Sequence, residues 1–211
     1  MKIHKIAIIG GTGKSGTYLV NRLLGKGYSL KLLLRNPNKF TLESDLIEIV
    51  LGDARNFESV AELAKGCQAF ISTLGQPKGE PPIFSQATKN VVKAIRKIGM
   101  GRYIVTTGLN VNTPYDKKDE KARFATKWMY ENFPETTADK QLEYDYLVKS
   151  GIEWTLVRLP LIIQTGEKFP VQVNQENCAG TEISATDLAD FLIAQLSDTC
   201  FIGKSPFLSN F

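Results

Sequence analysis

The sequence predicts a doubly wound parallel α/β fold, a three-layer α/β/α sandwich with a small irregular C-terminal lobe. Three observations predict it. Short apolar runs, among them 6–9, 30–34, 47–51, 69–73 and 103–107, read as strands of a buried sheet. Segments with helical spacing separate them, which calls for right-handed crossovers and hence a parallel sheet. The first run ends in a glycine-rich turn that opens straight into a helix. A length of 211 residues suits one domain over 1–211.

The opening unit carries the densest signal. Ile6-Ala7-Ile8-Ile9 is an unbroken apolar strand, and Tyr18, Leu19, Val20, Leu23 and Leu24 mark a helix over 17–24. Between them stands Gly10-Gly11-Thr12-Gly13-Lys14-Ser15-Gly16. In that context glycines let backbone N–H groups approach a diphosphate, and the helix N-terminus adds partial positive charge. Gly10 makes the sharp exit from the strand, Gly13 brings the chain up to the phosphates, and Gly16 lets the helix pack close to the sheet. Glycines also end strands for steric reasons alone; their place between a buried strand and a helix is what points to a nucleotide. Gly13-Lys14-Ser15 matches the tail of a nucleoside-triphosphate loop, but the glycine that motif needs five positions before Gly13 is Ile8. The NTPase reading fails.

Hydrophobic residues at 43% and charged residues at 23% describe an ordinary globular protein. A net charge of +4 on scattered basic residues suits a small anionic ligand and argues against nucleic acid. Cys67, Cys178 and Cys200 lack metal-ligand spacing and are odd in number, so reduced thiols and a cytoplasmic location are expected. His4 is the sole histidine, which leaves no His-based metal site and no serine–histidine triad. No segment approaches the roughly 18 consecutive apolar residues of a membrane helix. Met1-Lys2-Ile3-His4-Lys5 leads straight into the first strand, with no room for a cleavable signal.

The second strand, 30–34, ends at Arg35-Asn36-Pro37-Asn38-Lys39. In nicotinamide-binding folds the residue there meets the adenosine ribose: a carboxylate favours NAD, and an arginine accommodates the 2′-phosphate of NADP. Arg35, with Lys39 nearby, favours NADP(H) over NAD(H). The third strand, 47–51, runs into Gly52-Asp53-Ala54. Asp53 is placed either to hydrogen-bond adenine or to serve the N-terminus of a helix over 57–65. The fourth strand, Ala69-Phe70-Ile71-Ser72-Thr73, ends in Leu74-Gly75, and Pro77 to Pro82 is a turn-rich loop. A helix over 83–98 is closed by Gly99.

The fifth strand, 103–108, carries Thr106 and Thr107 at its carboxyl end, the side on which an open parallel sheet binds ligands. Residues 112–135 form an excursion from the sheet. Its charged run, 116–123, reads as a solvated helix face, and Phe124, Trp128, Tyr130 and Phe133 are available to pack beside a ligand. A helix over 137–150, stopped by Gly151, aligns Lys140, Tyr144 and Leu147 on one face toward the sheet. After a sixth strand, 154–158, residues 159–182 and 197–211 make a minor lobe on the substrate side. Between them a final helix, capped by Ser184 or Thr186, runs to Leu196.

These residues resemble a known family: the atypical short-chain dehydrogenases/reductases of the NAD(P)H-binding, NmrA-like group. The resemblance covers nearly the whole chain. It rests on the Gly10–Gly16 turn, Arg35-Asn36-Pro37, Gly52-Asp53, Tyr103-Ile104-Val105-Thr106-Thr107, Lys140 with Glu143, Trp154-Thr155-Leu156-Val157-Arg158 and Ile183-Ser184-Ala185-Thr186-Asp187-Leu188-Ala189. Within the group it is most similar to the biliverdin-IXβ reductase/flavin reductase branch and bacterial NADH-flavin reductases. The likeness implies a Rossmann sheet carrying NADP(H). Gly10, Thr12, Gly13, Lys14 and Ser15 would lie along the diphosphate. Arg35 would take the 2′-phosphate, Asp53 and Ala54 the adenine, and Ser72, Thr73, Leu74 and Gly75 the ribose side. Thr107 would sit where the family's catalytic-strand hydroxyl sits, and Lys140 in the place of the family's lysine.

One departure matters. Conventional members carry Tyr-x-x-x-Lys, whose phenol protonates an alkoxide. Here no tyrosine has lysine four positions later, and the residue four before Lys140 is Thr136. A threonine hydroxyl ionises far above tyrosine's pKa of roughly 10 and is a poor general acid. Hydride transfer to a flavin or quinone needs no such acid, because the acceptor delocalises charge. The expectation is therefore an NADPH-dependent oxidoreductase acting on a small planar acceptor, without metal, nucleic acid or membrane, as a monomer or small homo-oligomer. An NmrA-like redox sensor that binds NADP(H) without turnover is the alternative. A sugar-nucleotide epimerase is a third reading, for which the short C-terminal part leaves little room.

Overall fold

Alternation along the first strand explains both cores. The computed structural model describes residues 4–99 and 101–211, and of Lys39 the backbone alone; Met1, Lys2 and Ile3, expected to lead into the first strand, lie outside the described residues. In β1 (Lys5–Ile9), Ile6 and Ile8 join Leu19, Leu23, Leu30 and Leu32 on one face of the sheet. Ala7 and Ile9 join Phe70, Val91 and Tyr103 on the other. Both faces are covered, so the run is apolar without a polar alternate.

The chain continues through α1 (Gly16–Gly25), β2 (Ser29–Leu34), β3 (Ile47–Leu51), α2 (Phe57–Ala64), β4 (Ala69–Ser72), α3 (Phe84–Ile98) and β5 (Arg102–Gly108). Helices α4 (Glu120–Asn132) and α5 (Pro134–Val148) precede β6 (Glu153–Leu159) and β7 (Leu161–Ile163). Last come β8 (Val171–Asn174), β9 (Glu182–Ser184), α6 (Ala185–Ala194) and β10 (Phe207–Asn210). Helix ends follow local chemistry. Gly99 closes α3 in the left-handed region at φ 70°. The Ser184 hydroxyl accepts from the Thr186 and Asp187 N–H groups at the start of α6.

The main sheet has eight strands in the order β3-β2-β1-β4-β5-β6-β10-β8, and every neighbouring pair from β3 to β10 is parallel. This is a Rossmann-like doubly wound α/β sheet. The chain steps outward from β1 to β3 and then returns to lay β4 on the other side of β1. That reversal opens a crevice at the carboxyl ends of β1 and β4.

Two expectations need correction. Residues 159–182 and 197–211 do not stand apart as an irregular lobe: β10 pairs parallel with β6 and antiparallel with β8. Phe207 and Leu208 are buried, and the Arg158 N–H on β6 donates to Pro206 O at 2.8 Å, so this segment covers what would be an open sheet edge. β7 and β9 form a separate two-stranded sheet. Nor is the charged run 116–123 one solvated helix face. Asp116 and Lys118 precede α4 and turn inward, with Arg158 Nη1 2.6 Å and Lys118 Nζ 3.5 Å from the Asp116 carboxylate. The buried Arg158 guanidinium demands a counter-charge, and the excursion supplies it. Burial brings the Lys118 ammonium down to about 8, with Asp116 opposing the shift.

Candidate functional site

The crevice is a cleft of about 900 Å³. Near β1 it is built on glycines. Gly10 leaves the strand at φ 83°, and a Cβ there would lie 2.7 Å from the Thr73 carbonyl, so only glycine lets the exits of β1 and β4 touch. Gly10 O accepts the Gly13 N–H at 2.9 Å and the Thr73 hydroxyl at 3.2 Å. A Cβ on Gly16 would meet that same oxygen at 2.0 Å. Gly16 thus sets how closely α1 packs and lies behind the lining, whereas Gly10, Thr12, Gly13, Lys14 and Ser15 line the cleft. Ser15 stands at the N-cap of α1 without a side-chain cap hydrogen bond, and the first turn holds no acidic residue. The Thr17 N–H already donates to Gly13 O at 3.1 Å, and the helix start, with its partial positive charge, suits an anion.

Arg35 follows β2 and faces the cleft beside Asp53 and Ala54, which follow β3. Asp53 is not the cap of α2; Asn56 is, accepting the Ser59 N–H at 3.0 Å, while Asp53 accepts the Arg55 N–H at 2.8 Å. The Lys39 side chain, expected beside Arg35, lies outside the described residues. A carboxylate meets Arg35 instead. Glu80, on the loop after β4, lies 2.7 and 3.0 Å from Arg35 Nη1, and Arg55 Nη1 reaches it at 2.9 Å. The Arg35 hydrogen bond, joined by Arg55, holds the Glu80 carboxyl below its usual range. Thr73, Leu74 and Gly75 line the middle of the cleft; Ser72 stays inside the sheet and outside the lining.

At the far end Thr107 and Lys140 converge with Phe84, Leu159, Pro160 and Ile162. The Thr107 hydroxyl is buried without a hydrogen-bond partner among the described residues, an unmet capacity that a bound polar group would satisfy. Lys140 Nζ lies 4.9 Å from the centre of the Phe84 ring, and burial lowers its pKa while Glu143 opposes. Among the described residues lining the cleft there is no tyrosine, and Thr136 is not among them either. Phe124, Trp128, Tyr130 and Phe133 are exposed and take no part in the cleft.

Behind Lys140 lies a polar cluster whose burial the sequence did not reveal. The Thr88 hydroxyl donates to Glu143 Oε1 at 2.6 Å and meets the Tyr103 hydroxyl at 3.0 Å. Asp139, one residue before Lys140, accepts the Phe84 and Ser85 N–H groups and so caps α3 from α5. Burial pushes the Glu143 carboxyl up to about 7, against Thr88 and Lys140 and with help from Asp139. The native state therefore keeps this proton from about 4.5 to about 7, and the group makes stability fall as pH rises through that window. Relative to the wild type, Glu143→Gln is expected to gain several degrees of Tm across the window and to hold the gain above it. Thermal unfolding over a pH series reads this; a difference independent of pH would place the proton elsewhere.

Among the described residues no group of three or more His, Cys, Asp or Glu side chains is placed to hold a metal ion, and no helix is long and apolar enough to cross a membrane. A family model described as NAD(P)H-binding matches residues 10–199. Among curated proteins, the photosystem II assembly factor Ycf39 of Trieres chinensis is 24% identical over 200 residues, which are 90% of this chain and 59% of that protein. The chain thus spans about three fifths of that relative's length. Among solved structures, the anaerobillin reductase ChuY of Escherichia coli O157:H7 superposes with a TM-score of 0.81 at 18% identity, over 98% of this chain and 97% of that one. SP1627 of Streptococcus pneumoniae TIGR4, a candidate NADH-flavin reductase, superposes with a TM-score of 0.77 at 22% identity, over 99% and 100% of the two chains. At such identities these structures share the fold.

Proposed function

Because the chain belongs to the NAD(P)H-binding family, we propose that it is an NADPH-dependent reductase of a flat conjugated acceptor: a flavin, a quinone or a tetrapyrrole. The observation that carries this reading is the far end of the cleft, where Thr107, Lys140 and apolar side chains meet without a tyrosine among the described lining residues. The names given to ChuY, an anaerobillin reductase, and SP1627, a candidate NADH-flavin reductase, support the reductase part of this reading.

The residues present fit a dinucleotide. Backbone contacts that no Cβ at Gly10 or Gly16 could enter hold the turn against the cleft, and the Thr107 hydroxyl is unpaired among the described residues. Gly10, Thr12, Gly13, Lys14 and Ser15 would hold the diphosphate, Arg35 the 2′-phosphate, Asp53 and Ala54 the adenine, and Thr73, Leu74 and Gly75 the ribose. When bound, NADPH supplies a hydride at its nicotinamide ring. Thr107 and Lys140 orient that end, and Phe84, Leu159, Pro160 and Ile162 offer apolar surface to a planar acceptor and exclude water from it. The Lys140 cation attracts negative charge arriving on the acceptor. A conjugated ring spreads that charge and draws its proton from water, whereas a ketone oxygen would need a positioned acid.

Titration with NADPH and NADH tests the cofactor. The wild type should prefer NADPH, and Arg35→Ala should weaken NADPH about tenfold while leaving NADH unchanged. Equal binding of the two by the wild type would refute the preference. A screen of FMN, riboflavin, a quinone and simple ketones tests the chemistry: turnover of ketones would contradict the acceptor reading. Binding of NADPH without turnover of any acceptor would favour the sensor instead.

A further inference from the structure

Among the described residues, four charged groups meet at the adenosine end. Arg35 and Arg55 come from the exits of β2 and β3, and Glu80 comes from the loop after β4. Because β1 lies between β2 and β4 in the sheet, that loop must arch over the carboxyl end of β1 to deliver Glu80. The arch is held in shape. Gln76 Nε2 donates to the carbonyls of Pro77, Glu80 and Pro81, and Arg55 Nη2 donates to Pro81 O at 2.8 Å. Pro77, Pro81 and Pro82 restrict its backbone further.

The Glu80 carboxylate thus sits between two guanidiniums, the arrangement that also receives a phosphate. Asp53 Oδ2 adds a second carboxylate, 3.4 Å from Arg55 Nη1 and 3.9 Å from Arg35 Nη1. Among the described residues, two cations face two anions. An added phosphate dianion would leave this set strongly negative unless Glu80 withdrew, and Glu80, already exposed, can turn into water. The diol of an unphosphorylated ribose imposes no such exchange.

We propose that Arg55 and Arg35 together receive the 2′-phosphate of the dinucleotide, and that Glu80 competes for them and so sets the choice between NADPH and NADH. The proposal rests on the reading that the cleft takes a nicotinamide dinucleotide. Sequence inspection assigns the phosphate to Arg35 alone, because Arg55 and Glu80 are distant in the chain from that strand end.

Calorimetric titration with 2′,5′-ADP, ADP, NADPH and NADH tests it without needing turnover. Glu80→Gln should tighten 2′,5′-ADP and NADPH about three- to tenfold, the range for an exposed ion pair released from competition, and move ADP and NADH less than twofold. Arg55→Ala should loosen the two phosphorylated ligands several-fold and spare the other two. Unchanged NADPH affinity in Glu80→Gln, or a loss of NADH affinity there, would overturn the competitor role. Unchanged NADPH affinity in Arg55→Ala would overturn the two-arginine receptacle. Failure of the wild type to bind any of the four ligands would instead bring down the dinucleotide reading and this proposal with it.

Discussion

Replacing Gly16 with alanine is expected to abolish dinucleotide binding and to destabilise the protein by about 3 kcal/mol or more. The new methyl would lie 2.0 Å from Gly10 O and 2.9 Å from the carbonyl carbons of Gly10 and Gly11. All three are backbone atoms, so no side chain can swing aside. Either α1 lifts away from β1, or the turn that holds Gly13 against Gly10 opens. Both carry the N–H groups of the turn away from a common focus. Gly25, in the same helix, supplies the control: nothing lies within 4 Å of its Cβ position. Gly25→Ala should be neutral or stabilising by up to about 1 kcal/mol, through the helix propensity of alanine. Urea unfolding gives the stability of both variants, and NADPH titration below their unfolding midpoints gives the binding. Near-normal binding by Gly16→Ala would mean that the turn is not where the diphosphate rests.

Arg158→Ala should be comparably severe, at about 3–5 kcal/mol, and for a different reason. The guanidinium is fully buried and stacks on Phe207, 3.5 Å from the ring centre. It donates to Ser205 O at 2.8 Å, Val111 O at 3.2 Å and Gln175 O at 2.9 Å, besides Asp116. Truncation would strand the Asp116 carboxylate with Lys118 as its remaining described cation and take from the Ser205 and Gln175 carbonyls their described side-chain donor, while Val111 O keeps Lys118 Nζ. Lysine cannot replace the fork of donors, so Arg158→Lys should recover little. Urea unfolding measures the loss. Hydrogen exchange should locate it in 207–210 and 171–174, the strands that Arg158 ties to β6; uniform acceleration across the sheet would argue against that role.

Local signals carried most of what the sequence disclosed. The apolar run of β1, the Gly10–Gly16 spacing, Gly99 at the end of α3 and Ser184 at the start of α6 each act within a few residues of where they are read. Arg35, Asp53, Thr73 and Thr107 were legible as strand-end positions, and an open parallel sheet brings its strand ends to one side. What stayed hidden depends on distant partners. β10 is a four-residue strand that forms because β6, far back in the chain, offers an edge. β8 does show an alternation, Val171-Gln172-Val173-Asn174, but it is too short to outweigh the polar text around it. Asp116 and Lys118 resemble surface charges until Arg158 is placed beneath them. Glu80 belongs to a proline-rich turn whose destination, two strands away, only the strand order reveals.

The Gly10 carbonyl fixes the strand exit, the tight turn and the neighbouring strand to a single atom. A guest arriving there meets a mould already set. Little ordering entropy is left to lose on docking, so adaptation falls to the Glu80 arch and the acceptor end. For a dinucleotide bound as proposed, pace and selectivity of capture would be governed at the two extremities of the groove, with its middle as the fixed datum against which both are measured.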